Sequence, residues 1–492
     1  MTKMRILFSV VFLTVHPMQA SEPQEVIISG KVLNYAPESG DRTVTVIVND
    51  YGRMTQLSYP SGVESSGHFL IEFGLYLPQD VMIKYKTNLR VIVHPGDSLH
   101  IEFDGSTNRR TRIFDSVKFA GNRAKTNSIL AKYLHVYFTN RPSDIFLNDK
   151  KKTATPEQYI QFQDSIRSEF HSMRNKFLDE FDPNEEILRW TLAGIEFEYY
   201  TRLLLYPIEH RLLNNLSEEN WDVPASYYAF VSVIPPLETK NLINTECFYF
   251  INGLFYSFIK PSLVNSAKTT NMQQQDSIVV SDIANLPRES DILKQLLLCH
   301  YFNREFERYE IETFEKYSSI VRRVLTNDFL YRPLMEHYME VKQSIEQPEI
   351  AKDEITNNIQ KESPENVFRQ ILDNNSNKVI YVNCWATWCS PCKRNFPDLL
   401  EMIGDYNGRD IAFVHLCFLS EMNHWKAVLT KYELPGEHYL LDNEQSRFFQ
   451  EKFEMEGYPT YVIINKSGDI IRSGIDLLPN RKQARDLIKE LL

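Results

Sequence analysis

The sequence predicts a multidomain protein with an N-terminal β-sandwich, a central α-helical region and a C-terminal α/β domain. Three observations predict it. Apolar residues alternate with polar ones over residues 25–112, then recur at three- and four-residue steps over 116–346. From 365 to 492 the order is strand, cysteine-bearing helix, strand, then a strand–turn–strand and a last helix. At 492 residues the chain is too long for one core, and 43 % hydrophobic residues mark it as globular.

The first twenty residues read as a secretory signal peptide. Lys3 and Arg5 precede an apolar run, Ile6 to Val15, and a polar stretch ends at Ala20. The run is too short to span a bilayer, and no cysteine is present to carry a lipid. The alternative is a buried first strand or helix. No later stretch is apolar enough to cross a membrane, so the mature chain is expected to have no transmembrane segment.

Within the β region, Val44, Val46 and Val48 alternate with polar or lesser neighbours, as do Phe69, Ile71 and Phe73, and Leu99, Ile101 and Phe103. Pro95-Gly96-Asp97 supplies a turn between Val93 and Leu99. In the helical region, Thr155-Pro156-Glu157-Gln158 is a helix start, with Thr155 and Gln158 closing a capping box. Tyr159, Phe162, Ile166, Phe170, Met173 and Phe177 form a core stripe. So do Leu188, Leu192, Ile195 and Tyr199, and Ile311, Phe314, Tyr317, Val321 and Val324; a partner-binding groove is the alternative. Residues 347–364 read as a linker. The stretch 347–366 holds Pro348, Pro364 and seven charged residues but no aromatic one, in a chain that is 12 % aromatic.

The chemistry concentrates in Trp385-Ala-Thr-Trp388-Cys389-Ser-Pro391-Cys392. Cysteines with two residues between them can close a small disulfide ring. The run Val379 to Cys384 reads as a buried strand, which places Cys389 at the start of the following helix. There the unpaired N–H groups and the helix dipole favour thiolate over thiol, and a thiolate is the nucleophile of disulfide exchange. A structural staple or a metal pair is the competing reading, but zinc usually needs a second pair of ligands at related spacing. Cys247, Cys299, Cys384 and Cys417 are scattered. Gly457-Tyr458-Pro459-Thr460, a strand at 461–464, a turn at 465–469 and a strand at 470–472 complete the constellation.

On these residues, 365–492 resembles the thioredoxin superfamily, and within it the TlpA/ResA-like exported thiol–disulfide oxidoreductases. Gly30-Lys-Val, Gly67-His-Phe and His94-Pro-Gly-Asp-Ser-Leu resemble, more weakly, the β-sandwich preceding that domain in multidomain reductases of the Bacteroidetes type. The resemblance implies that Cys389 attacks a substrate disulfide and Cys392 resolves the mixed disulfide. It implies a cis-proline at Pro459, with Tyr458 and Pro459 offering the substrate backbone a surface beside the sulfurs. Trp388 precedes the first cysteine and Pro391 the second, Pro391 tuning the ring, and Lys393 adds positive potential. Asn383 stands where classical thioredoxins keep a buried acid beneath the helix; Asn cannot accept a proton. Asn395 replaces a common Glu, while Pro397 is kept.

The resulting expectation is a periplasmic thiol–disulfide oxidoreductase that needs no cofactor beyond a redox-active Cys389–Cys392 disulfide and no metal. Its partners are the thiols and disulfides of exported proteins and a membrane or periplasmic thiol electron donor. A formal charge of −11 argues against nucleic acid. The rival is a non-catalytic ligand- or protein-binding protein with a vestigial thioredoxin domain. Peroxide reduction is disfavoured, since no lone cysteine follows a P-x-x-x-T motif. The thioredoxin fold would place the strands of Cys384 and Cys417 side by side, either as a second redox pair or as small hydrophobes. Trp425 reads as a core anchor.

Overall fold

The computed structural model describes residues 22–217, 220–259, 279–286, 291–347, 355–357 and 362–492. The expected signal peptide lies outside them. The chain divides into two compact units: the first takes most residues up to Ser257, the second most from Phe258 onward.

In the first unit, β1 (Gln24–Leu33), β4 (His68–Leu75), β7 (Ser98–Asp104) and β8 (Lys118–Gly121) form one sheet in the order β4-β1-β7-β8. The other sheet runs β3-β2-β5-β6, from Thr55–Gly62, Thr43–Asp50, Gln79–Lys84 and Asn88–Val93. Alternation sends one face of each strand inward. Phe69, Ile71, Phe73 and Leu75 of β4 are buried while their neighbours are exposed. They share one core with Val44, Val46 and Val48 of β2. Two glycines are forced by geometry. Gly96 turns at φ 84°, and a Cβ on Gly30 would lie 2.3 Å from the Ile101 carbonyl oxygen.

The region read as helical from 116 holds a strand first, because β8 pairs along β7 from Lys118 to Gly121. The helix Pro156–Phe181 then begins with both halves of the Thr155–Gln158 capping box in place. In the helix Glu185–Asn214 the expected stripe is corrected: Leu188 and Leu192 are exposed. Ile187, Trp190 and Thr191 face inward instead, and the Trp190 indole donates to buried Asp80 at 3.0 Å. Asp80 also accepts from the Thr245 backbone at 2.9 Å.

The second unit contains helices Asp291–Glu307, Glu312–Val324 and most of Asp328–Glu346, followed by the α/β domain. Ile311, Phe314, Val321 and Val324 are buried as expected, and Tyr317 is half-buried. The domain's sheet joins β9 (Ile355–Asn357), β10 (Val379–Trp385), β11 (Ile411–Cys417), β12 (Glu437–Leu440), β13 (Thr460–Ile464) and β14 (Ile470–Gly474). Their order is β14-β13-β10-β11-β12-β9. β10 runs parallel to β11 and antiparallel to β13, which places it well inside the sheet. The segment 347–364 therefore contributes a strand, and helices up to Glu346 share a compact unit with the α/β domain.

Candidate active site

All seven side chains of β10 are buried, as a strand covered on both faces requires. The chain leaves it at Trp385 through a turn tied to the loop after β11. The Phe418 N–H donates to the Trp385 carbonyl at 2.8 Å, and the Thr387 N–H donates to the Ser420 hydroxyl at 3.0 Å. Cys389 then caps the helix Ser390–Arg394, with exposed Pro391 in its first turn. The Cys392 N–H points at the Cys389 sulfur, 3.2 Å away. The two cysteines are joined in a disulfide. Cys389 keeps 3 % of its surface exposed and Cys392 none. When the bond is open, the same N–H and the helix start would favour charge on Cys389.

The Tyr458–Pro459 peptide is cis and leads directly into β13. Trp388 sets its ring edge-on against Tyr458, centroids 5.5 Å apart, and donates its indole N–H to the Leu419 carbonyl at 3.0 Å. Gln450 donates to the Tyr458 hydroxyl at 2.8 Å, and burial pushes that phenol up to about 12. Pro459 is buried and Tyr458 half-buried.

Asn383 is fully buried on β10, in register with His415 on β11, which is in register with His438 on β12. His415 Nε2 meets the Pro435 carbonyl at 3.1 Å. A carbonyl can only accept, so Nε2 carries the proton and Nδ1 accepts from the Asn383 amide at 3.3 Å. The Asn383 carbonyl oxygen has no hydrogen-bond partner among the described residues. The two imidazoles stack at 4.6 Å, and both are held neutral. Burial, then His438, depresses His415 to about 3; burial depresses His438 to about 4. Neither histidine stood out in the sequence, since only strand register brings them to Asn383.

Lys393, expected to add positive potential beside the cysteines, is buried. It is 7 % exposed, and its ammonium donates to the carbonyls of Thr387 and Glu307 beneath the Tyr309 ring. Burial lowers its pKa to about 7, against the nearby Glu307 charge.

Cys384 and Cys417 do not form a second pair. Cys384 is in register with Leu416, and Cys417 with Trp385, so the two sulfurs leave opposite faces of the sheet. Burial raises both thiols, Cys417 to about 12. Cys247 is likewise buried and raised by burial. Among the described residues, no three His, Cys, Asp or Glu side chains stand close enough to hold a metal ion. Trp425 is buried in the helix Met422–Tyr432, as expected of a core anchor.

The thioredoxin-like family pattern matches residues 377–470. The C-terminal domain is thioredoxin-like. A thioredoxin of Staphylococcus saprophyticus is 29 % identical over 119 residues, 24 % of this chain and 88 % of its own length. Thioredoxin 2 of Chlorobaculum tepidum is 27 % identical over 113 residues, 23 % of this chain and 79 % of its own. Among solved structures, a thiol:disulfide interchange protein of the thioredoxin family from Chlorobium tepidum aligns at 23 % identity. It covers 24 % of this chain and 83 % of that one, with a TM-score of 0.22. The β-rich and helical regions lie outside the family match.

Three outcomes follow from the geometry of the thioredoxin-like domain. After mild reduction, limiting iodoacetamide should label Cys389 first. The four free cysteines, all buried, should stay unlabelled until the protein is denatured. Peptide mass spectrometry showing Cys417 or Cys392 modified ahead of Cys389 would contradict this order. For Lys393 the folded pKa lies below the unfolded one, so between about 7 and 10.5 the unfolded chain binds more protons. Stability conferred through this group therefore rises with pH across that window. Relative to Lys393→Met, the native protein should gain up to about 1.4 kcal/mol per pH unit in urea melts. A pH-independent difference between the two would mean that Lys393 titrates normally.

Asn383→Asp sets a carboxyl against the lone pair of His415 Nδ1 in a dry site. Burial raises that carboxyl's folded pKa, so its penalty grows as pH rises through it. The variant should lose about 1–3 kcal/mol near neutral pH and recover part of it near pH 4–5. Equal melting profiles for the two proteins at both pH values would show that the site tolerates charge.

Proposed function

We propose that this protein is an exported thiol–disulfide oxidoreductase of the TlpA type, working in the periplasm on disulfides of other exported proteins. The observation that carries the reading is the Cys389–Cys392 disulfide, capping a helix beside the cis Tyr458–Pro459 loop, while the other cysteines are buried thiols. The thioredoxin-like family match over this segment supports it. No helix among the described residues is long and apolar enough to cross a membrane. The basic and then apolar residues 3–15 are the reason for proposing export.

In the reducing direction, the Cys389 thiolate attacks one sulfur of a client disulfide. The S–S bonding pair leaves with the second client sulfur, which takes a proton. Cys392 gives up its proton and attacks the Cys389 sulfur, releasing the first client thiol and closing the Cys389–Cys392 bond. Two electrons have passed to the client, and a membrane or periplasmic dithiol must return them. No cofactor or metal is required. Trp388 and Tyr458 wall the sulfurs, and Pro459 and Tyr458 border the path of the client backbone. Asn383 cannot take the Cys392 proton, so water or another base must do so.

The full-length protein should reduce insulin with dithiothreitol as electron source, and Cys389→Ser should abolish the activity. Cys392→Ser should accumulate mixed disulfides that dithiothreitol releases. A folded protein that neither reduces insulin nor forms a mixed disulfide would instead favour the non-catalytic binding reading.

A further inference from the structure

A cleft of about 620 Å³ in the second unit opens against Ser390, the residue between Cys389 and Pro391. This volume lies within the range of sites that take small ligands or a few peptide residues. Its walls come from the helices Asp291–Glu307, Asp328–Glu346, Ser390–Arg394 and Met422–Tyr432. Tyr309 and Tyr432 give it aromatic sides.

Its charge is the informative part. The whole chain carries −11, yet cations gather here. Arg394 and Lys431 are exposed on the cleft and make no ion pair among the described residues. Lys431 merely passes over the Tyr432 ring, 5.7 Å from its centroid. The other charges are mostly satisfied. Arg53 is bridged to Glu340 at 2.7 Å and to Glu336 at 3.6 Å, while Lys393 is spent on two carbonyls. Glu307 is the one lining acid without an ion pair among the described residues, and it faces both open cations. Two exposed cations, one of them two residues after Cys392, against a single unpaired acid leave net positive charge on the cleft and favour an anionic group there.

We propose that this cleft docks acidic side chains flanking the cysteine of the client disulfide, so that Arg394 and Lys431 select acidic disulfide-bearing peptides. The proposal rests on the oxidoreductase reading and specifies its substrate class. A client strand reaching Cys389 past Ser390 carries its next residues into the cleft. Carboxylates there meet Arg394 in a forked hydrogen bond and Lys431 as a point charge, against aromatic walls.

The test uses the full-length protein and three disulfide-linked peptides of equal length, with acidic, neutral or basic residues beside the cysteines. Two partly screened ion pairs should favour the acidic over the basic peptide in kcat/KM by about tenfold at low salt. The ratio should shrink as salt is raised to about 0.5 M. In the Arg394→Gln, Lys431→Gln double variant it should fall to about twofold or less, whereas Arg394→Lys should retain most of it. Equal kcat/KM for all three peptides, alongside turnover of the neutral one, overturns the docking proposal and leaves the oxidoreductase reading intact. A preference that survives in the double variant also overturns it. Absence of turnover with every peptide and with insulin removes the oxidoreductase reading, and this proposal with it.

Discussion

The burial of one strand on both faces governs the C-terminal domain. β10 places seven consecutive side chains out of water, which holds its two neighbours in fixed register. Everything chemical hangs from its end. The turn that follows is fastened to the loop after β11 by the Phe418 and Ser420 hydrogen bonds, and only then does Cys389 begin the helix. The exposed face of the site carries Pro391 and Arg394, which lie off the sheet.

Residue proximity along the chain decided what was legible. β10, the CxxC turn, the β13–β14 hairpin and the Thr155 capping box are local patterns, and each stands where the residues placed it. Tyr458–Pro459 was legible through family resemblance rather than physics. What escaped needs pairing at a distance. The Asn383–His415–His438 row exists only once three strands are in register. The burial of Lys393 depends on Glu307, far earlier in the chain. β9 lies in a charged stretch with a weak strand signal, and it forms by adding to β12. Leu188 and Leu192 failed for a simpler reason: Ile187 and Trp190, each one residue or two away, claimed the inward face of a helix crowded with apolar residues.

The buried amine of Lys393 also changes how the helices before the α/β domain are understood. They supply one of its acceptors and the Tyr309 ring above it. The Thr387 carbonyl, the other acceptor, lies two residues before Cys389. A polar contact thus runs from the helical segment to the turn that carries the sulfur. Composition alone suggested a tether at 347–364; hydrogen bonding makes the two parts neighbours within one unit.

The placement of Cys384 and Cys417 on opposite faces of one sheet has a combinatorial consequence. Six cysteines could pair completely in roughly fifteen ways, and an oxidising environment samples such pairings in any chain that stays open. Once β10 and β11 are zipped together, this pair is removed from the search, because the sheet itself stands between the sulfurs. The domain is left with a single storable electron pair, at Cys389 and Cys392. Its other thiols are ballast with no path to the outside.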